Sequence, residues 1–283
     1  MTTISRLTIV TVLPLCLAGT RLADSAAWAQ DASAWEMQSH TSARLIAGAL
    51  AKSADAEFLR AGVEIRLDPG WETYWRDPGD SGAPPTFDFS GSANVKSATV
   101  LWPAPEKFPD GAGGNSIGYV GHVILPLRIA PQDAAQPAVL ELKLGYAICG
   151  TLCVPIEADL KLALNGKGGE DASIARAESR VPRRVPLGAN SGSGLAILAV
   201  HREQARVVVE VAAPAGAPVD LFVEGPTPDW SLPLPEATGG DGAKRQFSFA
   251  LDGLPADAKP DGALLTFTAV CGDDAIEVSA HLD

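Results

Sequence analysis

Few side chains in this sequence of 283 residues carry thiol or imidazole chemistry: it holds four cysteines and four histidines. Basic residues are outnumbered, 22 against 34 acidic, for a net charge of −12. A strongly acidic chain is a poor partner for nucleic acid or an anionic membrane surface. No segment after the first 29 residues reaches the roughly 18 uninterrupted apolar residues of a membrane helix. The chain is therefore expected not to span a membrane. Helical periodicity is scarce, while glycine (28) and proline (22) are abundant and separate many short alternating stretches. That composition favours an all-β architecture over a helix bundle or a doubly wound sheet.

What is present centres on Tyr146-Ala-Ile-Cys149-Gly-Thr-Leu-Cys153-Val-Pro155. Before it, Leu140, Leu142 and Leu144 alternate with Glu141 and Lys143. After it, Ile156, Ala158, Leu160, Leu162 and Leu164 alternate with Glu157, Asp159 and Lys161. Period-two alternation on both sides predicts two half-buried strands, joined by a short hairpin loop. The cysteines then flank the hairpin tip. Directly opposed residues of a non-hydrogen-bonded antiparallel pair lie about 4.5 Å apart at Cα, within the reach of a disulfide.

A disulfide closing so short a loop stabilises little, about 2 kcal/mol against about 4.7 for a long loop. A tip-exposed pair is also easier to reduce than a buried long-range one. A redox-active pair is the leading reading. The alternatives are a structural hairpin clip and a Cu(I) site, since paired thiolates are soft ligands. His40, His122, His201 and His281 all stand apart from the pair in sequence, and no metal-ligand set is assigned.

Residues 1–29 read as a secretory signal. Arg6 supplies the positive start, Leu7 to Ala18 the apolar run, and Ala27-Trp28-Ala29 a small-x-small cleavage site. Cys16 lies within the apolar run, but bulky Leu15 precedes it where a lipoprotein signal carries a small residue. Export permits disulfide chemistry, and leaves Cys149, Cys153 and Cys271.

Residues 35–165 hold seven candidate strands, Ser42–Ala49, Phe58–Leu67, Thr86–Phe89, Val95–Leu101, His122–Ile129, Ala138–Ile148 and Val154–Leu164. They suggest an immunoglobulin-like sandwich. Residues 166–193 read as a glycine-rich linker with a short helix over Asp171–Val181, stopped by Pro182. Residues 194–283 read as a second β-sandwich, with strands Leu195–His201, Ala205–Val211, Val219–Glu224, Gln246–Leu251, Leu264–Cys271 and Ala275–Leu282. Cys271 ends a strand and reads as a small apolar residue. Two aromatic, proline-punctuated stretches, 70–79 and 102–111, the second followed by a glycine-rich segment up to Tyr119, read as irregular. Their Trp71, Tyr74, Phe108 and Tyr119 are candidates for a lid over the sulfurs.

Tyr146-x-x-Cys149-x-x-x-Cys153-x-Pro155 between two strands resembles the redox hairpin of the periplasmic N-terminal domain of DsbD-type protein-disulfide reductases, in particular the ScsB branch linked to copper tolerance. Gly70-Trp71-Glu-Thr-Tyr74 resembles the family's aromatic strand start, and Val123-Ile-Leu-Pro126-Leu-Arg-Ile129 the strand before the hairpin. The resemblance covers roughly residues 40–165. It implies an immunoglobulin-like fold with Cys149 and Cys153 as the couple. Cys153 would form the mixed disulfide, and Phe108 would be the cap ring. It further implies a periplasmic, cofactor-free protein that passes electrons from a membrane donor to thioredoxin-like proteins. Neither the family's membrane helices nor its thioredoxin-like domain is found here, so that donor would be a separate protein.

Overall fold

The computed structural model describes residues 31–52, 57–111, 113–190 and 192–283. The leader read at 1–29 lies outside them. In chain order the elements are β1 (Glu36–Gln38), β2 (Thr41–Lys52), β3 (Glu57–Leu67), β4 (Glu72–Gly79), β5 (Thr86–Asp88), β6 (Val95–Val100), β7 (Glu106–Pro109), β8 (Asn115–Val120), β9 (His122–Pro131), β10 (Ala138–Cys149) and β11 (Cys153–Leu164). There follow α1 (Asp171–Glu178), β12 (Arg183–Arg184), β13 (Ala196–Glu203), β14 (Arg206–Ala212), β15 (Asp220–Glu224), β16 (Glu236–Asp241), β17 (Lys244–Ala250), β18 (Leu264–Cys271) and β19 (Asp274–His281).

The fold is all-β, as the composition predicts. One sandwich packs a sheet ordered β1-β2-β3-β9-β6 against a sheet ordered β11-β10-β4-β8-β7, with β5 also on β10. The alternation read from the sequence builds its core: Leu140, Leu142, Leu160 and Leu162 meet Leu45, Val63 and Leu125. Polar residues between them face out, because successive strand side chains point to opposite faces. The other sandwich has sheets β12-β19-β18-β15 and β13-β14-β17-β16. Its core includes Val207, Val209, Phe247, Phe249, Phe267 and Val278.

Three readings need correction. The stretches 70–79 and 102–111, expected to be irregular, contain β4 and β7, and β8 begins within the glycine-rich segment that follows. Strand β4 escapes a period-two reading because Thr73, Tyr74 and Trp75 are all buried, so neither face is marked polar. Strand β16 (EATGGD) was not expected either. It is exposed throughout and has no apolar face to read. Helix α1 ends at Glu178, short of Val181. Its last turn tightens, with Arg180 N–H donating to Ala177 O and Val181 N–H to Glu178 O, while Arg180 O accepts from Ala104 N–H. Helix α1 lies on the first sandwich rather than in solvent. Ile174 is fully buried, worth about 1.5–3 kcal/mol. Arg60 of β3 ties both helix ends, donating to Asp171 at 2.9 Å and to Glu178 at 2.6 Å.

The two sandwiches touch at β4. There Asp77 accepts from Gly79 N–H at 3.2 Å, and burial, with Glu224 adding, pushes its carboxyl up to about 6. An unfolded aspartate titrates near 3.9. The native state therefore binds this proton more tightly, and stability from this group rises as pH falls from 7 toward 5. Asp77→Asn keeps an acceptor for Gly79 and removes the buried charge. It should stabilise the protein by about 1–2 kcal/mol at pH 7, with the gain fading toward pH 4. Urea unfolding at the two pH values checks this; equal gains at both would show that ionisation of Asp77 is not the cause.

Candidate functional site

The hairpin forms as the alternation predicts. Strands β10 and β11 pair in unbroken antiparallel register from Ala138↔Leu164 to Cys149↔Cys153. The two cysteines are bonded, with Cα atoms 4.1 Å apart. That is close to the spacing of a non-hydrogen-bonded pair. Gly150, Thr151 and Leu152 close the turn, with Gly150 N–H donating to Leu152 O. Leu152 is 74% exposed at the tip.

The two sulfurs differ in surroundings. Cys149 is buried, 4% exposed, whereas Cys153 is exposed. The difference comes from β4, which pairs with the last residues of β10: Ile148↔Thr73 and Cys149↔Glu72. The next residue, Tyr74, donates its O–H to Cys149 Sγ at 2.6 Å and lies 3.6 Å from Cys153 Sγ. Tyr74 is itself 2% exposed. Burial first, and then the charge of Glu72, raises its pKa, with a bond from Ser116 opposing. The hydroxyl therefore stays protonated and available as a donor.

A loop covers Tyr74 from outside. Gly82 has φ +113°, and a Cβ there would fall 2.3 Å from the Tyr74 ring. Any other residue would push the loop off the tyrosine or the tyrosine off the sulfur. On the tip side Trp71 lies against the hairpin, since a Cβ at Gly150 would meet its ring at 3.2 Å. The Trp71 ring stacks on His40 at 4.3 Å between centroids, and His40 bonds Asp68 at 3.1 Å.

Tyr74 is thus brought to the disulfide, and Trp71 to the hairpin turn between its two cysteines. Tyr119 faces the other way: it belongs to the sandwich core and donates its O–H to Pro103 O at 2.9 Å. Phe108 is half-buried in β7 opposite Ser116, across β8 and β4 from β10. Cys271 is a free thiol packed against the second core.

Two participants are not apparent from sequence. One is the Gly82 loop, which folds back onto Tyr74 eight residues earlier and is tied down by Ser81 bonding Asp110 and Ser116. The other is Glu72, the cross-strand neighbour of Cys149, whose pKa is raised by burial and then by Asp110. Glu157 and Asp159 are the obvious acids beside Cys153 in sequence, but four and six residues along a strand carry them about 13 and 20 Å away. The sequence clue to this side of the site is the run Glu72-Thr-Tyr-Trp75, three strand-forming residues after a glycine turn.

Chemically, the arrangement offers one sulfur to solvent and holds the other under a hydroxyl donor. Attack on the exposed sulfur expels the buried one as a thiolate, which the tyrosine O–H stabilises by a charge-assisted bond. Among the described residues, no group of three or more His, Cys, Asp or Glu side chains is placed to hold a metal.

Residues 43–165 match the family of the N-terminal part of the thiol:disulfide interchange protein DsbD. None of the curated proteins matches the chain. Among solved structures, the N-terminal periplasmic domain of ScsB from Proteus mirabilis is similar in fold. The TM-score is 0.70 at 21% identity, over 90% of this chain and 99% of that one.

Proposed function

We propose that the first sandwich, a domain of the DsbD N-terminal type, passes electrons between a membrane reductase and periplasmic thioredoxin-like proteins through Cys149 and Cys153. The observation that carries this is the unequal pair: Cys153 exposed, Cys149 buried beneath the O–H of Tyr74. In the reduced protein the Cys153 thiolate attacks a sulfur of the partner's disulfide. A bond forms from Cys153 Sγ to that sulfur, and the partner's second sulfur leaves as a thiolate and takes up a proton. The Cys149 thiolate, steadied by Tyr74, then attacks Cys153 Sγ. The Cys149–Cys153 bond closes and the partner's first sulfur leaves as a thiolate, so two electrons have passed to the partner. Reduction by the membrane donor runs the same steps in reverse.

In this reading residues 35–165 carry the couple, 166–193 lead out of that unit, and 194–283 form a second one. Tyr74 covers the Cys149 sulfur and Trp71 packs at the hairpin turn, while Phe108 and Tyr119 support the β7–β8 side of the same sheet. The leader at 1–29 would deliver the chain to the periplasm. The Cu(I) alternative rests on the two sulfurs alone, with no further ligand cluster among the described residues.

The test is direct transfer. Reduced mature chain, mixed with an equal amount of an oxidised thioredoxin-like protein, should become oxidised at Cys149–Cys153 as the partner gains two thiols. Alkylation and mass measurement read both proteins. If the partner stays oxidised with partners of several potentials, the interchange reading fails.

A further inference from the structure

The strand that carries Tyr74 is also the strand that the second sandwich grips. Strand β4 pairs with β8 up to Tyr74↔Gly118, and pairing resumes only at Gly79↔Ser116. Four residues, Trp75 to Pro78, bulge out opposite a single partner position. Tyr74 is therefore the last residue the ladder holds before the bulge, and the chain on its C-terminal side is the bulge itself. Bulges commonly re-aim side chains beside functional sites.

The bulge is anchored by the second sandwich. Trp75 packs on Phe222 of β15, ring centroids 5.9 Å apart. Arg76 lies over the Trp75 ring at 4.3 Å. It donates to both oxygens of Glu224, at 2.8 and 2.7 Å, and to Glu277 at 2.6 Å. Glu277 is 7% exposed and accepts a further bond from Arg184 at 2.8 Å. A guanidinium forked onto one carboxylate and held by a second has little freedom left. Burying such charges gains little stability against hydrophobic packing of the same volume, but it fixes position.

We infer that the second sandwich is a positioning element for the redox couple: Glu224 and Glu277 hold Arg76, Arg76 holds the β4 bulge, and the bulge keeps the Tyr74 hydroxyl on Cys149 Sγ. The inference rests on the interchange reading above. Its consequence is that residues of the second sandwich set the poise of a disulfide in the first. The hydroxyl stabilises the Cys149 thiolate of the reduced form, so loosening the clamp shifts the pair toward the disulfide.

The test uses the whole mature chain equilibrated with glutathione. Two glutathione thiols reduce the Cys149–Cys153 bond to two thiols and become one glutathione disulfide. Four proteins are compared: wild type, Tyr74→Phe, Glu224→Gln/Glu277→Gln, and the three substitutions together. The glutamate variant should lower the equilibrium constant for reduction by about three- to tenfold. Tyr74→Phe should lower it at least as much, and the triple variant should fall no further than Tyr74→Phe alone. A purely structural clamp would lower the melting temperature and leave the constant unmoved, and that result overturns the inference. So does an additive effect in the triple variant, which would place the clamp's action elsewhere than Tyr74. If the double substitution does not fold, Glu224→Gln alone and Phe222→Leu are compared by the same criteria. A wild-type disulfide that no glutathione ratio reduces would sink the interchange reading itself. Normal wild-type reduction with unmoved clamp variants would sink only this inference.

Discussion

Cys149→Ser should accumulate a covalent adduct with an oxidised thioredoxin-like protein, and Cys153→Ser should accumulate almost none. Interchange passes through a mixed disulfide that the neighbouring thiol normally resolves. Cys153 is exposed at the mouth of the hairpin and open to a partner's sulfur. Cys149 is 4% exposed beneath Tyr74. With Cys149 gone, the bond from Cys153 to the partner has no intramolecular attacker and persists until a reductant is added. With Cys153 gone, the remaining thiol is buried beside Glu72, whose charge opposes its ionisation when the carboxyl is deprotonated. The contrast should be nearly all-or-none on a non-reducing gel, and the adduct should vanish with dithiothreitol. Adducts from Cys153→Ser alone would reverse the two roles. Adducts from neither variant, with several oxidised partners offered, would remove the interchange mechanism and leave the two sulfurs to a structural or Cu(I) role.

The half of the site supplied by β10 and β11 was readable in the sequence, because each strand has one apolar and one polar face. That alternation sets a register in which a one-residue slip would turn Leu140 and Leu160 to solvent. The pairing Cys149↔Cys153 follows from it. The other half was not readable, and the reason lies in β4. Its outward face is buried by a loop whose place is set by Gly82 packing on Tyr74, a contact between chain segments with no sequence periodicity. A strand covered on both sides, broken by Pro78 and Gly79, resembles an irregular stretch by any local rule.

The junction between sandwiches is hidden for a related reason. Arg76, Glu224 and Glu277 look like ordinary polar positions in or near alternating strands. They meet across separations of 148 and 201 residues, and a polar residue at a strand position gives no sign that it will be buried against another domain. The helix was readable at its start, where Asp171 opens the segment. Its end was not, because Arg180 O is drawn to Ala104 N–H of a distant loop. Sequence periodicity therefore located the reacting atoms, while the groups that tune them came from contacts that only the folded chain brings together.

Trp75 tests how firmly the two halves depend on one another. It is fully buried, belongs to the first core and packs on Phe222 of the second sandwich. Trp75→Ala should cost about 3–5 kcal/mol in urea unfolding, the range for a large aromatic deleted from a core that collapses only in part. Trp75→Phe should cost much less, about 1 kcal/mol, and the reason is specific. The indole N–H is buried with no hydrogen-bond partner among the described residues. An unsatisfied buried donor costs about 1–3 kcal/mol. Replacing the indole by a phenyl ring therefore loses some packing volume and some cation–π contact with Arg76, but also removes that penalty. Phenylalanine as damaging as alanine would mean that the N–H is bonded, by ordered water for instance, or that the larger ring is what keeps the bulge against Phe222. If the alanine cost stayed below about 1 kcal/mol, Trp75 would be packed loosely and the sandwiches would be joined mainly by polar contacts, Arg76 with its carboxylates and Lys107 with Asp220.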